Sequence, residues 1–277
     1  MERANTQIRR ISQLGTTSES ELNRRIERGF EPDLDGPVRT YHSPEYYFSA
    51  NLWLRACLNR ILARLFTIDQ AYCRPQDIGS VVTEISLELD SWYRLLPLEL
   101  QFVRDARSFG LLLPTMPVRL KDLALRYHAC IVALNRPVLY FVLYRDFEHS
   151  TPSPGGVHAE QQLEPWVFAS CRDCVESAKL FILTLSQSPS LERGTLTWCE
   201  TQLLTGLFAV LLSVQTASSF SSAFRDVPEI NRLLDTVEDL LSTHMTMSPG
   251  NVRTLEILLN IRMNFQASSP VMMATCR

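Results

Sequence analysis

Residues 75–97 read PQDIGSVVTEISLELDSWYRLLP. Within them Ile78, Val81, Val82, Ile85, Leu89, Trp92 and Leu96 recur three and four positions apart, the spacing that lines one face of a helix. Pro75 suits a first helical position, where an amide would have no partner. Asp77 in the first turn favours the positive end of the helix dipole, and Pro97 stops the run. The same grammar extends in both directions. Residues 44–66 open at Ser43-Pro44, a cap followed by proline. They place Tyr47, Leu54, Leu58, Ile61, Leu62 and Leu65 on one broad face, with Arg55, Arg60 and Arg64 away from its centre, as an amphipathic helix requires. From Val118 the series Leu120, Leu123, Tyr127, Ile131, Leu134 runs into Arg136-Pro137. There the proline lacks a donor and crowds the Ala133 carbonyl, which predicts a kink or break. Val138 to Tyr144 is apolar all round and predicts burial on more than one side.

Further helices are expected at about 165–186, 196–217, 227–244 and 248–266, with a break at 189–194 and a serine-rich loop at 218–222. The chain has only ten glycines among 277 residues, shows no confident strand alternation and carries no repeat of fixed period. The fold class expected is therefore all-α, an irregular multi-helix array in two packed halves. The organisation expected is a poorly ordered segment over 1–43, a helical domain over 44–266 and a tail over 267–277. The domain divides into halves 44–144 and 165–266, joined by a flexible connection at 145–164. That connection contains Ser150-Thr151-Pro152-Ser153-Pro154-Gly155-Gly156, a composition that supplies turns and resists packing.

At 45% hydrophobic and 21% charged residues, the composition is that of a globular domain with a substantial core. A formal net charge of -3 argues against direct DNA binding, which needs a concentrated basic face. Lys121 and Lys179 are the only lysines, and the arginines are spread along the chain. The first fifteen residues have no apolar core of a secretory signal. The most lipophilic stretch, Leu203 to Val214, falls short of the ~20 residues a bilayer span needs, so no membrane association is expected. Seven cysteines, at 57, 73, 130, 171, 174, 199 and 276, form an odd set without framework spacing. They predict buried free thiols in a reducing compartment.

Candidate chemistry is sparse. Cys171-Arg172-Asp173-Cys174 has the spacing of a redox dithiol or half a zinc site. It falls mid-helix rather than at a helix start in a βαβ unit, and no second ligand pair accompanies it where a structural zinc wants four. Glu84 and Glu88 stand four apart on a polar face and read as solvated. His42, His128, His149, His158 and His244 are scattered, with His128 read as a helix-border residue beside core-facing Tyr127. Trp92 and Tyr93 read as core, with pocket lining as the alternative, and Arg136 reads as a structural partner for carbonyls freed at the proline or for a buried acid. No catalytic, cofactor-binding or metal residue is assigned, and the chain is not expected to be an enzyme.

Two phrases carry a resemblance. Leu89-Asp90-Ser91-Trp92-Tyr93-Arg94-Leu95-Leu96-Pro97 and, some forty residues on, Leu125-Arg126-Tyr127-His128-Ala129-Cys130-Ile131-Val132-Ala133-Leu134-Asn135-Arg136-Pro137 together resemble the regulatory middle homology domain of fungal zinc-cluster (Zn2Cys6) transcription regulators. Leu89, Asp90, Trp92, Leu96 and Pro97 match the family's acidic-aromatic phrase. Tyr127, His128, Arg136, Pro137 and Leu139 match its later helix, and the likeness extends over roughly residues 44–215. It implies an all-helical transcription-regulatory domain in the nucleus, working through effector or partner binding. The expected partners are a full-length regulator or co-regulator, with a small-molecule effector possible. The family's six-cysteine DNA-binding head does not precede residue 44, so zinc would belong to an upstream cysteine cluster and not to Cys171 and Cys174. The alternative reading is a small-molecule-binding helical protein unrelated to transcription, with its pocket near the Trp92 and Pro137 segments.

Overall fold

A computed structural model describes residues 44–67, 74–105, 116–150, 164–187, 196–217, 220, 226–243 and 249–268. The chain is all-α, and no strand occurs among the described residues. In chain order the helices are α1 (Pro44–Leu65), α2 (Pro75–Leu95), α3 (Val118–Ser150), α4 (Pro165–Ser186), α5 (Trp198–Thr216), α6 (Val227–Thr243) and α7 (Pro249–Ser268), with a 3-10 turn at Leu98–Leu100 after α2. The expected disorder of 1–43, the tail from 269 and the Pro/Gly-rich part of the connection at 151–163 lie outside the described residues.

Local signals account for the ends. The Asp77 carboxylate accepts the Arg74 amide at 3.1 Å, relieving an otherwise orphaned donor at the start of α2. Thr197 and Glu200 form a reciprocal capping box on α5: the Thr197 hydroxyl accepts the Glu200 amide, and the Glu200 carboxylate accepts the Thr197 amide at 2.7 Å, which satisfies two donors at once. Asp226 accepts the Glu229 amide at the head of α6.

The face read from residues 75–97 is the buried one. Ile78, Val82, Ile85, Leu89, Trp92 and Leu96 are all in the core, with Val81 packed against it. α1 contributes Ala50, Leu54, Cys57, Ile61 and Leu65, whereas Leu62 is exposed. α3 is the central helix, touching α1, α2, α4 and α5. It therefore buries neighbouring positions such as Leu123, Ala124, Tyr127 and His128 on more than one side. Its broadest contact is with α4, where the short side chains of Ser170, Cys171, Cys174 and Ala178 are buried and let two backbones approach. α5, α6 and α7 pack on one another, and α6 also packs on α4. Nearly all the buried apolar side chains form one cluster running from Ala50 to Leu258.

Two sequence expectations change. α3 is not broken at Pro137 but continues through it to Ser150, and thus over 145–150, which had read as connection. Interior proline removes one ladder bond, and the packing of Val138, Leu139 and Val142, all fully buried, offsets that loss. The stretch Val138–Tyr144 is also not buried all round, since Tyr140 and Tyr144 are exposed. Phenol rings tolerate such a position because their hydroxyls remain in water.

Gly79 has a packing role. A β-carbon there would lie 3.1 Å from the Trp166 ring, so the bare backbone of α2 is what lets the start of α4 lie against it.

Candidate functional site

The two phrases separated by forty residues meet in space. Trp92 of α2 is buried between Trp53 of α1 and Tyr127 of α3, with ring centroids 5.4 and 5.9 Å away and both pairs stacked. Trp92 is thus core, as its spacing predicts, and Tyr93 is the residue that faces a cavity. Leu96 and Pro97 turn the chain back so that residues 101–105 cross the end of α2. Gln101 donates to the Leu96 carbonyl at 2.9 Å, and the Tyr93 hydroxyl donates to the Phe102 carbonyl. Arg104 then ties the phrases together: its guanidinium donates to Asp90 at 2.9 Å and to the Tyr127 hydroxyl at 3.1 Å. The same group lies 4.0 Å over the Tyr93 ring, an attractive cation–π arrangement.

Under this strap lies a cleft of about 860 Å³ between α2, α3 and α4. Tyr93, Phe102 and Tyr127 give it aromatic walls, and His128 lies at its base. His128 is a correction to the border reading, being 1% exposed and in edge contact with Phe102 and Tyr127. Its helix is covered on that side by the 101–105 segment, which has no periodicity to reveal its path. Neither ring nitrogen has a hydrogen-bond partner. The Val103 carbonyl favours the ring's proton, but it falls outside hydrogen-bond geometry. Burial, reinforced by the Arg104 charge, pushes the imidazole pKa down to about 3. At neutral pH the ring is uncharged and offers one donor and one acceptor.

The cleft is rich in acids. Asp90, Asp105, Asp173 and Glu176 line it, against Arg104 as the one basic residue of its lining among the described residues. Asp90 is taken by Arg94 and Arg104, and Glu176 by Lys179 at 3.1 Å. Asp173 has Arg172 only at 4.0 Å. Burial, with the Glu176 charge adding and Arg172 opposing, holds its carboxyl above the ordinary carboxylate range. Asp173 is the member of the Cys171–Cys174 motif that reaches the cleft.

The chain matches no family model, no curated protein and no solved structure.

The remaining candidates are placed as follows. Cys171 and Cys174 are fully buried, and the Cys174 thiol points to the Val132 carbonyl of α3 at 3.8 Å. Burial pushes Cys171 up to about 12 and raises Cys174 as well, so neither supplies the thiolate that redox or metal chemistry uses. Among the described residues no three His, Cys, Asp or Glu side chains gather as a metal group. Glu84 and Glu88 form ion pairs with Arg64 and Arg60, a ladder joining α2 to α1; such half-exposed pairs are worth about 0.2–1 kcal/mol each. Arg136 lies over the rings of Phe66 and Tyr140 and outside the cleft. His42, His158 and His244, like Cys73 and Cys276, lie outside the described residues, and His149 is in the last turn of α3. No helix among the described residues is long and apolar enough to cross a bilayer.

The thiols give a direct check. Brief alkylation of the native chain with N-ethylmaleimide, read by peptide mass spectrometry, is expected to label exposed Cys199. Buried Cys57, Cys130, Cys171 and Cys174 are expected to react only in denaturant. Native labelling of Cys171 or Cys174 at the rate of Cys199 would contradict their burial.

Sequence reasoning missed His128 and Asp173 as cleft residues. The spacing put His128 one position from a core tyrosine, but nothing local said that residues 101–105 would roof it.

Proposed function

We propose that this chain is a helical regulatory domain of the kind found in fungal zinc-cluster transcription regulators, acting in the nucleus through a protein partner or a small effector, with DNA contact made outside it. The observation that supports this reading is the union of the two phrases that carry the resemblance: Trp92 stacks on Tyr127, and Arg104 joins Asp90 to the Tyr127 hydroxyl. Residues that look unrelated in the sequence serve one structural unit. A regulatory domain needs such a unit beside a cavity, because an effector can shift a conformational equilibrium only by binding its states differently. Cys171 and Cys174 are buried in an apolar helix interface, and among the described residues no further His, Cys, Asp or Glu gathers beside them as a metal group, so this reading leaves any zinc cluster outside that pair. Tagged full-length chain recovered from fungal nuclei is expected to bring down a DNA-binding regulator. Recovery only from cytosol, with no transcription partner, overturns the reading.

The second reading is a small-molecule-binding helical protein without a role in transcription. The cleft favours it: Tyr93, beside Trp92, and Asn135, two residues before Pro137, both belong to its lining, together with Tyr127 and His128. A ligand that raises the melting temperature by binding the native state alone, together with cytosolic recovery, would select this reading over the first.

A further inference from the structure

We infer that the cleft between α2, α3 and α4 binds a small organic cation: a molecule with a flat apolar body, an ammonium group held at Asp173 and a second N–H or O–H donated to His128. The inference rests on the effector-binding part of the reading above, and its test involves no transcription. Three independent features select this chemistry.

The first is His128. The Val103 carbonyl lies beside one nitrogen of the buried imidazole and nothing bonds the other, whereas desolvated polar groups of that kind are normally paired. The Val103 carbonyl favours a proton on the ring, and a neutral imidazole then has its other nitrogen as an acceptor. The complement is a donor on the ligand. The second is charge. Among the described residues the one basic side chain lining the cleft, Arg104, is already engaged by Asp90, Tyr127 and the Tyr93 ring, so an anion meets no free cation among them and faces Asp173 and Glu176 instead. An ammonium meets Asp173, which has only a distant arginine. Hydrogen bonds between charged partners are the stronger ones. The third is shape. Tyr93, Phe102 and Tyr127 contribute to the lining of the cleft, an aromatic wall against which a flat apolar group can pack.

Three commercially simple probes share or vary these features. Tryptamine has the flat ring, the ammonium and a second donor. Phenethylamine lacks the second donor, and indole-3-propionate replaces the ammonium by a carboxylate. Calorimetric titration of the full chain is expected to rank tryptamine above phenethylamine and to detect no binding of the propionate. Asp173→Asn is expected to weaken both amines by about two- to fivefold, the scale of an exposed charged pair. His128→Phe is expected to weaken tryptamine and leave phenethylamine unchanged. Asp173 is half-exposed, so its substitution keeps the test valid if the His128 variant folds poorly. Absence of binding by both amines overturns the inference. So does equal binding of tryptamine and the propionate, or tryptamine binding that neither substitution alters. Each of these outcomes leaves the nuclear recovery experiment to decide the regulatory reading by itself.

Discussion

Trp92→Ala is expected to lower folding stability by about 3–5 kcal/mol, the range for removing a large buried aromatic. The indole is 4% exposed and lies in a stack that spans three helices, Trp53 of α1 on one side and Tyr127 of α3 on the other. Removing it deletes apolar contact on both faces at once and leaves a cavity that rigid helix backbones cannot close. It also withdraws the support under Tyr127, and with it the Arg104 contact that holds residues 101–105 over the cleft. Trp92→Phe is expected to cost much less, because a ring remains in the stack and the indole N–H it removes has no partner. Trp198→Ala, at a site 75% exposed, is expected to stay within about 0.5 kcal/mol. Urea unfolding followed by circular dichroism gives all three numbers. A Trp92→Ala loss no larger than that of Trp198→Ala would mean that the stack contributes nothing, and the convergence of the two phrases would lose its structural meaning.

The helices were legible in the sequence because their signals are local. Pro75 with Asp77, Ser248 before Pro249, and the three-and-four spacing through Trp92 each depend on residues within one or two turns. The structure places helix ends within a few residues of those signals. Of the kink or break expected at Pro137 the break does not occur, because the local cost of the proline is offset by tertiary packing: burial of Val138, Leu139 and Val142 against other helices. The cleft was illegible for a related reason. His128, Asp173 and Tyr93 come from three helices, and what turns a helix-border histidine into a buried one is the path of the aperiodic segment 101–105. The charge count hinted at nothing, since the acids that meet in the cleft are separated by more than eighty positions between Asp90 and Asp173.

His128 is expected to make the protein lose stability on acidification well above the range in which carboxylates titrate. Its folded pKa, about 3, is depressed below the ordinary histidine value of about 6.5 in the unfolded chain. Between those two values the unfolded chain binds a proton that the native ring refuses. Stability is therefore complete above about pH 6.5 and falls as pH drops, with a slope approaching 1.4 kcal/mol per unit. The groups around the ring do not cancel this. Arg104 stays charged and opposes protonation throughout. Asp173, with its raised carboxyl, gains native protons at lower pH and so acts in the opposite sense only near the carboxylate range. Subtracting a variant isolates the ring. His128→Phe keeps an aromatic against Phe102 and Tyr127 and is expected to flatten the profile, removing about 2–3 kcal/mol of loss between pH 6.5 and 4.5. At pH 7.5 it is expected to be at least as stable as the unsubstituted chain, because it removes buried unpartnered nitrogens of the kind that cost about 1–3 kcal/mol. Urea midpoints at the three pH values measure both effects. Parallel profiles for the two chains would place the imidazole nitrogens in water or in hydrogen bonds. A flattened profile with undiminished stability at pH 7.5 would mean that folding does not need this imidazole.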